Sequence, residues 1–292
     1  MVIISDTYGQ LGNRLILFSH FIANALEFGY PVCYPGFHEY ARYFTGTKDN
    51  YFCAYPARHD GVKLLRPFQG AASTALTIAA CCYRKSKLRL FGLEALDITS
   101  GDGLEGDYDL ADNRFIAVRE ESRVLLVKGW LFRDEENIRK HADPVRRYFT
   151  PVAEHMANIS RVIERAREGC DLLVGVHIRQ GDYRNWLGGK HYHPTGEYLK
   201  IIRRTDELWQ GKRVRYLICS DEKQDRRLFQ ELNCAWGGGN ELEDLYAFAA
   251  CDYLMGPPST YTMWASFYGS VPLCVIDEVT TPITPEGFII AT

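Results

Sequence analysis

The stretch Leu172–Tyr183, LLVGVHIRQGDY, decides how this chain is read. Five apolar or glycine residues run straight into His177, Arg179, Asp182 and Tyr183. A short apolar run bounded by glycine suits a strand buried on both faces. Open α/β sheets bind ligands beyond the carboxyl ends of their strands, so polar side chains clustered there belong in a ligand crevice. An arginine in that place can meet a phosphate with two parallel charge-assisted hydrogen bonds.

C-terminal to this strand the pattern alternates. Thr195–Trp209 reads as a helix with Tyr198, Ile201 or Ile202, and Leu208 inward. Val214–Cys219 reads as a strand ending in Ser220-Asp221-Glu222, and Lys223–Leu232 as a helix. Asn240 caps a further helix, with Glu243 at the capping-box position. Asp252–Met255 and Leu273–Ile276 read as strands around a helix over Thr260–Tyr268. Strands separated by helices predict a parallel, doubly wound sheet. That topology brings His177/Arg179/Asp182, Ser220/Asp221/Glu222 and Ser259/Thr260 to one sheet edge. A pyrophosphate wants a fixed cation, which Arg179 supplies, and N–H or hydroxyl donors, which Ser259 and Thr260 supply at a helix start. A purine base wants a carboxylate, for which Asp244, Asp221 and Glu222 are candidates.

The N-terminal side opens with a strand over Val2–Ser5, a glycine turn over Tyr8–Gly12 and a helix expected from Asn13. Leu15, Phe18, Ile22 and Ala25 lie on one face of that helix, and Gly29 and Pro31 end it. Strand, glycine turn and helix together present backbone N–H groups to a phosphate or sugar. Residues 32–125 show no clean period. Val124–Val127 reads as a strand and Asp134–Arg147 as helical. Pro151–Glu168 reads as an amphipathic helix with Met156, Ile159 and Ile163 on one face, linking two halves.

Composition excludes several classes. Of 292 residues, 46% are apolar and 24% charged, with net charge −3, so the chain is globular and has no basic field for nucleic acid. Nine cysteines, odd in number and without a CxxC pair, read as free thiols in a reducing, cytoplasmic setting. The N-terminus does not read as a signal peptide, and no apolar run is long enough to span a bilayer. Ala71–Tyr83 is small and apolar, followed by Arg84, Lys85, Lys87 and Arg89. The preferred reading is a core helix with a basic end; the other is peripheral contact of 71–89 with an anionic inner membrane face.

Four blocks in order carry a resemblance. HIRQGDY resembles the HxRxGD signature of the α-1,2-fucosyltransferases, within the superfamily that includes the α-1,6- and protein O-fucosyltransferases. Gly9-Gln10-Leu11-Gly12-Asn13-Arg14 resembles that family's N-terminal turn. Gly129-Trp130-Leu131-Phe132 through Phe149 resembles its middle block, and Leu242–Gly269 its last. The resemblance implies an α/β, GT-B-like fold: two Rossmann-like domains with parallel sheets facing a central cleft. The expected domains are 1–150 on the acceptor side, a linker helix over 151–169, and a GDP-binding domain over 170–292. It implies GDP-fucose as donor, a glycan as acceptor, inversion at the anomeric carbon and no metal. The one DxD spacing in the sequence, Asp107-Tyr108-Asp109, reads as a loop.

Matched residue by residue, Arg179 would hold the diphosphate and His177 the base or ribose. Asp244 would accept from guanine, with Asp221 as a further nucleotide-binding carboxylate. Ser259 and Thr260 would bind phosphate, Gly9, Gly12 and Asn13 would approach the donor, and Asp182 is the candidate general base. The chain departs from the family at Gln180, where many members carry a second arginine, and at Arg14, where they carry glutamine. A relative using another GDP-sugar and a non-catalytic nucleotide-sugar-binding protein are the competing readings. A dehydrogenase is disfavoured, because the first turn is GQLGN rather than GxGxxG.

Blander roles stand beside these. Arg179 could simply pair with Asp182, and Asp182 is better read as orienting Arg179 than as a base. His177 could be a core histidine, Asp244 a first-turn helix carboxylate and Asn13 an N-cap. His191 and His193 sit in a glycine-flanked loop, Gly188–Pro194, which could lie over the acceptor but is better read as solvated, and Trp264 reads as core.

Overall fold

The computed structural model describes residues 1–57, 66–86, 90–99, 107–280 and 282–291. The chain divides into two compact units, Met1–Val152 and Ala153–Thr292. Both are α/β, as the sequence predicts, and each is built on a five-stranded sheet.

In the first unit, β1 (Val2–Ile4) enters α1 (Leu11–Phe28) through the glycine turn. The helix starts at Leu11 rather than Asn13, because Gly9 takes a left-handed φ of 52° and turns the chain directly into it. Asn13 therefore lies in the first turn and is not the N-cap; Gln10 is. Gly29 closes the helix in the left-handed conformation, its N–H donating to the Ala25 carbonyl. Then come β2 (Val32–Cys33), β3 (Ala54–Tyr55), α2 (Gln69–Lys85), β4 (Leu93–Asp97), β5 (Tyr108–Asp109), α3 (Asn113–Glu121), β6 (Val124–Lys128), β7 (Phe132–Arg133), α4 (Glu135–Lys140) and α5 (Ala142–Tyr148). The sheet order is β3-β2-β1-β6-β4, parallel except for β3.

Two-residue strands and short 3-10 turns explain why residues 32–125 show no period. Aromatic packing holds the region instead: Phe18 sits 5.6–5.7 Å from the rings of Tyr34, Phe37, Tyr148 and Phe149. Asp107-Tyr108-Asp109 is not all loop, since Tyr108–Asp109 pairs with β7. Helix α2 packs on the core with one face, as expected: Ser73 and Ala80 are buried, Ala80 lies with Ile3, Cys33 and Leu126 in the core, and Leu76 and Tyr83 pack against that cluster. Arg84 turns inward and donates to the Ser5 hydroxyl at 3.0 Å. Lys87 and Arg89 lie outside the described residues. No helix among the described residues is long and apolar enough to cross a membrane.

The second unit begins with α6 (Ala153–Arg167), whose buried residues are Ile159 and Ala166; Met156 is exposed, so the inward face is rotated from the predicted one. It continues through β8 (Leu172–Ile178), α7 (Thr195–Asp206), β9 (Val214–Ser220), β10 (Cys234–Trp236), α8 (Glu241–Phe248), β11 (Tyr253–Gly256), α9 (Thr260–Gly269) and β12 (Leu273–Val275). All five strands are parallel in the order β10-β9-β8-β11-β12. The order reverses between β8 and β11, the place where doubly wound sheets open a ligand crevice.

The helix predicted over Lys223–Leu232 is only a 3-10 turn, Arg226–Phe229. Gln224 is anchored by its side chain to Ser220 and Glu222, and Asp225 accepts from the Arg227 N–H, so the polar side chains compete with helical bonding. Trp264 is fully buried in the core, as expected.

Gly175 allows β8 to sit at the centre of this sheet. A Cβ there would lie 2.5 Å from Leu254 Cδ2 and 2.6 Å from Phe248 Cδ1. Gly175→Ala is therefore expected to cost roughly 1–3 kcal/mol by overpacking. Urea unfolding of the variant checks this; an unchanged midpoint would refute it.

Candidate functional site

The carboxyl end of β8 is held by a carboxylate from the neighbouring strand. Asp221, just past β9, accepts the Gln180 N–H on Oδ1 at 2.9 Å and the Gly181 N–H on Oδ2 at 3.0 Å. The same Oδ2 lies 3.3 Å from Arg179 Nε. Asp182 Oδ1 approaches that Nε at 2.9 Å. Arg179 is thus aimed by two carboxylates of different standing: the Asp221 side chain is 18% exposed, that of Asp182 58%. Burial disfavours the guanidinium charge, but the two carboxylates more than offset it and its pKa is raised. Its Cζ also stands 5.7 Å from the ring centroid of Tyr183. The Tyr183 hydroxyl donates to the Pro258 carbonyl, joining this turn to the segment after β11.

Gln180 faces away from the charge cluster. It is 4% exposed, and its Nε2 donates to the His193 carbonyl at 2.9 Å. Its Oε1 accepts from Gln224 Nε2 at 2.9 Å, and Thr195 Oγ1 donates to Gln224 Oε1 at 2.7 Å. This buried amide network ties the end of β8 to the loops before α7 and after β9. A satisfied network of this kind rigidifies what it connects.

His177 is 4% exposed, its ring 5.0 Å from that of Tyr261. Burial and then the charge of Arg179 push its pKa down to about 3, so the imidazole is neutral. Its Nδ1 is buried without a hydrogen-bond partner among the described residues. Gly256, at the end of β11, lies against it: a Cβ there would be 2.9 Å from His177 Cβ. Ser259 caps α9, accepting the Tyr261 N–H at 3.2 Å, and Thr260 is the first residue of that helix. These groups sit on the switch-point side of the sheet.

On the other side of Asp221 lies an open cavity of about 840 Å³, of the size that takes a small-molecule ligand. Trp236, Gly237, Gly239, Ser220, Glu222 and Asp244 are among its lining residues. Asp244 is 6% exposed and accepts the N–H groups of Gly238 at 2.7 Å and Gly239 at 3.1 Å. Burial, only partly offset by these bonds, pushes its pKa up to about 6. Gly237 has no room for a side chain, since a Cβ would stand 2.4 Å from Asp244 Oδ1. Glu243 is not the capping-box partner of Asn240. It accepts from Asn158 at 2.6 Å and lies 2.8 Å from His155 Nδ1, fastening α8 to α6.

In the first unit, Gly9 folds over Asn13, so closely that a Cβ at position 9 would meet Asn13 Nδ2 at 2.1 Å. Gly12 is buried in the first turn of α1. Arg14 is buried and donates to the Gly36 carbonyl at 2.8 Å and the Gly9 carbonyl at 3.3 Å, so it braces the turn. His191 and His193, expected in a solvated loop, are instead 5% and 4% exposed. His191 is covered by Trp186, and His193 lies over Tyr198.

Sequence reasoning missed Gln224, Tyr183 and Trp236. Tyr183 stood inside the motif without an assigned partner, whereas Gln224 and Trp236 carry no local signal.

No protein-family model matches this chain, and no curated protein matches it in sequence. Solved structures do match its fold. The chain is similar to a mutant of Arabidopsis thaliana FUT1 in complex with GDP, at 14% identity and TM-score 0.58, over 96% of this chain and 72% of that one. It is also similar to NodZ, an α-1,6-fucosyltransferase soaked with GDP-fucose, at 16% identity and TM-score 0.54, over 94% of each chain. The NodZ fucosyltransferase from Bradyrhizobium matches at 16% identity and TM-score 0.55 over 96% of each chain. The fold is that of GT-B fucosyltransferases.

Proposed function

We propose that this chain is an inverting glycosyltransferase that moves fucose from GDP-fucose to a glycan hydroxyl, forming an α-1,2 linkage without a metal. The observation that carries the reading is the pairing, on one sheet edge, of a carboxylate-aimed arginine with a cavity closed by a buried carboxylate. Arg179 is suited to the diphosphate and Asp244 to the ring N–H and amino group of guanine. Neighbours that hold GDP or GDP-fucose on the same fold support the donor assignment.

In this reading the second unit binds the donor. The acceptor hydroxyl oxygen attacks the anomeric carbon from the face opposite the phosphate, the C1–O bond breaks with its electron pair leaving on GDP, and the hydroxyl proton is released to solvent water. Arg179 stabilises the charge that builds on the leaving oxygens. His177, neutral and buried, packs beside the phosphate clamp with Nδ1 available to the nucleotide. Ser259 and Thr260 offer the helix start to the phosphates. Asp182 serves Arg179, since acting as a base would withdraw its charge from that pair. Gly9, Gly12 and Asn13 form the corresponding turn of the acceptor-side unit.

The direct test is donor hydrolysis and transfer across GDP-fucose, GDP-mannose and UDP-sugars, with and without EDTA. Turnover confined to GDP-fucose and indifferent to EDTA is expected; turnover of UDP-sugars alone, or none with tight GDP binding, would overturn the reading.

Asp244 makes a pH prediction. It must be ionised to accept two hydrogen bonds from guanine, and its pKa is about 6. GDP affinity is expected to fall about tenfold per unit as pH drops below that value. Asp244→Asn should bind weakly with no such slope. Because this pKa is raised above the unfolded value, the same group makes the unliganded fold more stable below pH 4 and less stable as pH rises through 6. Calorimetric titration with GDP from pH 5 to 8 reads the first effect. A flat wild-type profile would remove Asp244 from the base site.

A further inference from the structure

We infer that the segment after Arg179 carries a subsite for a pyranose ring of the acceptor, with Trp186 as its stacking platform and His191 as its polar contact. The inference rests on the glycosyltransferase reading above and names the place of the second substrate.

Three rings lead away from the phosphate clamp. Arg179 lies against Tyr183, Tyr183 stands 4.9 Å from Trp186, and Trp186 stands 5.4 Å from His191. The Tyr183 ring cannot drift, because its hydroxyl is bonded to Pro258. Trp186 neighbours both the Tyr183 and the His191 ring and is yet 44% exposed. An indole so exposed, fixed between two other rings, has an ordered apolar surface that water solvates poorly. The apolar C–H face of a pyranose suits such a surface, and its hydroxyls need a hydrogen-bonding group close beside it.

His191 supplies that group. It is 5% exposed, and its Nδ1 is buried without a hydrogen-bond partner among the described residues. Asp277 Oδ1 stands 3.7 Å from it, beyond hydrogen-bond length. A buried ring nitrogen left unpaired costs free energy that a ligand hydroxyl can recover. Asp277 follows β12, so the pair lies at the same sheet edge as Arg179.

The test uses the full chain with GDP-fucose and a panel of methyl β-galactoside, β-glucoside and β-N-acetylglucosaminide as acceptors. For the acceptor that turns over, Trp186→Ala is expected to raise KM at least tenfold, and His191→Phe three- to tenfold. GDP affinity and acceptor-free release of GDP should stay within twofold in both variants. Trp186→Phe, which keeps a ring, should recover most of the acceptor KM. Unchanged acceptor KM in Trp186→Ala, or a parallel loss of GDP affinity, overturns the subsite while leaving the donor reading intact. Absence of GDP release by the unmodified protein is the distinct signature of a failed donor reading, and the subsite falls with it.

Discussion

Arg179→Ala is expected to lower the proposed fucosyl transfer about 10³-fold, equivalent to roughly 4 kcal/mol of transition-state stabilisation. The argument is electrostatic. In the proposed reaction the leaving diphosphate gains charge as the C1–O bond breaks, and Arg179 stands at the switch-point end of β8, where two carboxylates have aimed it in advance. Because it is held before the reaction, little reorganisation is needed when charge develops. The fold should survive: Asp221 keeps its two backbone N–H partners, and Asp182 is mostly exposed. Arg179→Lys should recover only part of the rate, since an ammonium cannot reproduce the planar fork. Steady-state kinetics with GDP-fucose, alongside near-ultraviolet circular dichroism, check both points. A folded Arg179→Ala variant within tenfold of the unmodified rate would show that another group carries the leaving charge.

Gln180→Arg, which introduces the arginine that many members of the resembled family carry, is expected to damage this protein. The side chain at 180 is 4% exposed and pointed into an amide network, so a guanidinium there would be buried opposite Gln224, Thr195 and the His193 carbonyl. None of these is an anion. An uncompensated buried charge costs several kcal/mol, and roughly 3–5 kcal/mol of stability should be lost. Gln180→Met, similar in length and uncharged, should lose only about 1–2 kcal/mol, from the broken hydrogen bonds. Urea unfolding of the pair separates the cases. Equal stability of Gln180→Arg and the unmodified protein, with higher GDP affinity, would mean that position 180 reaches the phosphates.

The position that the sequence presents as a missing charge is thus a structural one. A one-residue step along a strand end reverses the face, and only the register decides which of Arg179 and Gln180 meets solvent. Their neighbours in the motif were legible to differing degrees. The apolar run of Leu172–Val176 marked the strand that became β8, because a strand buried on both faces has no polar alternative. Asn240 and Ser259 predicted their helix starts, because capping is a local hydrogen bond. Glu243 matched a local rule too, yet a partner from α6, about 85 residues away, took its carboxylate. Met156 fitted a helical period and is exposed, since period alone does not say which face meets a neighbour. Lys223–Leu232 had helical composition, but Gln224 and Asp225 found side-chain hydrogen bonds that ended the helix before it began.

What the sequence determined by itself is what short-range physics controls. That covers the alternation of buried strand and amphipathic helix, the glycine turns, the caps, and therefore a parallel sheet with polar residues at its carboxyl edge. The tertiary structure decided which of those residues act together. Asp221 reaches across from β9 to fix the turn of β8, Asp244 turns back onto the Gly237–Gly239 loop, and Gln224 closes the network around Gln180. Each link joins residues brought together by strand order or loop path, and a carboxylate's field and a hydrogen bond's geometry depend on distance in space. The spacing of residues along the chain does not contain that distance.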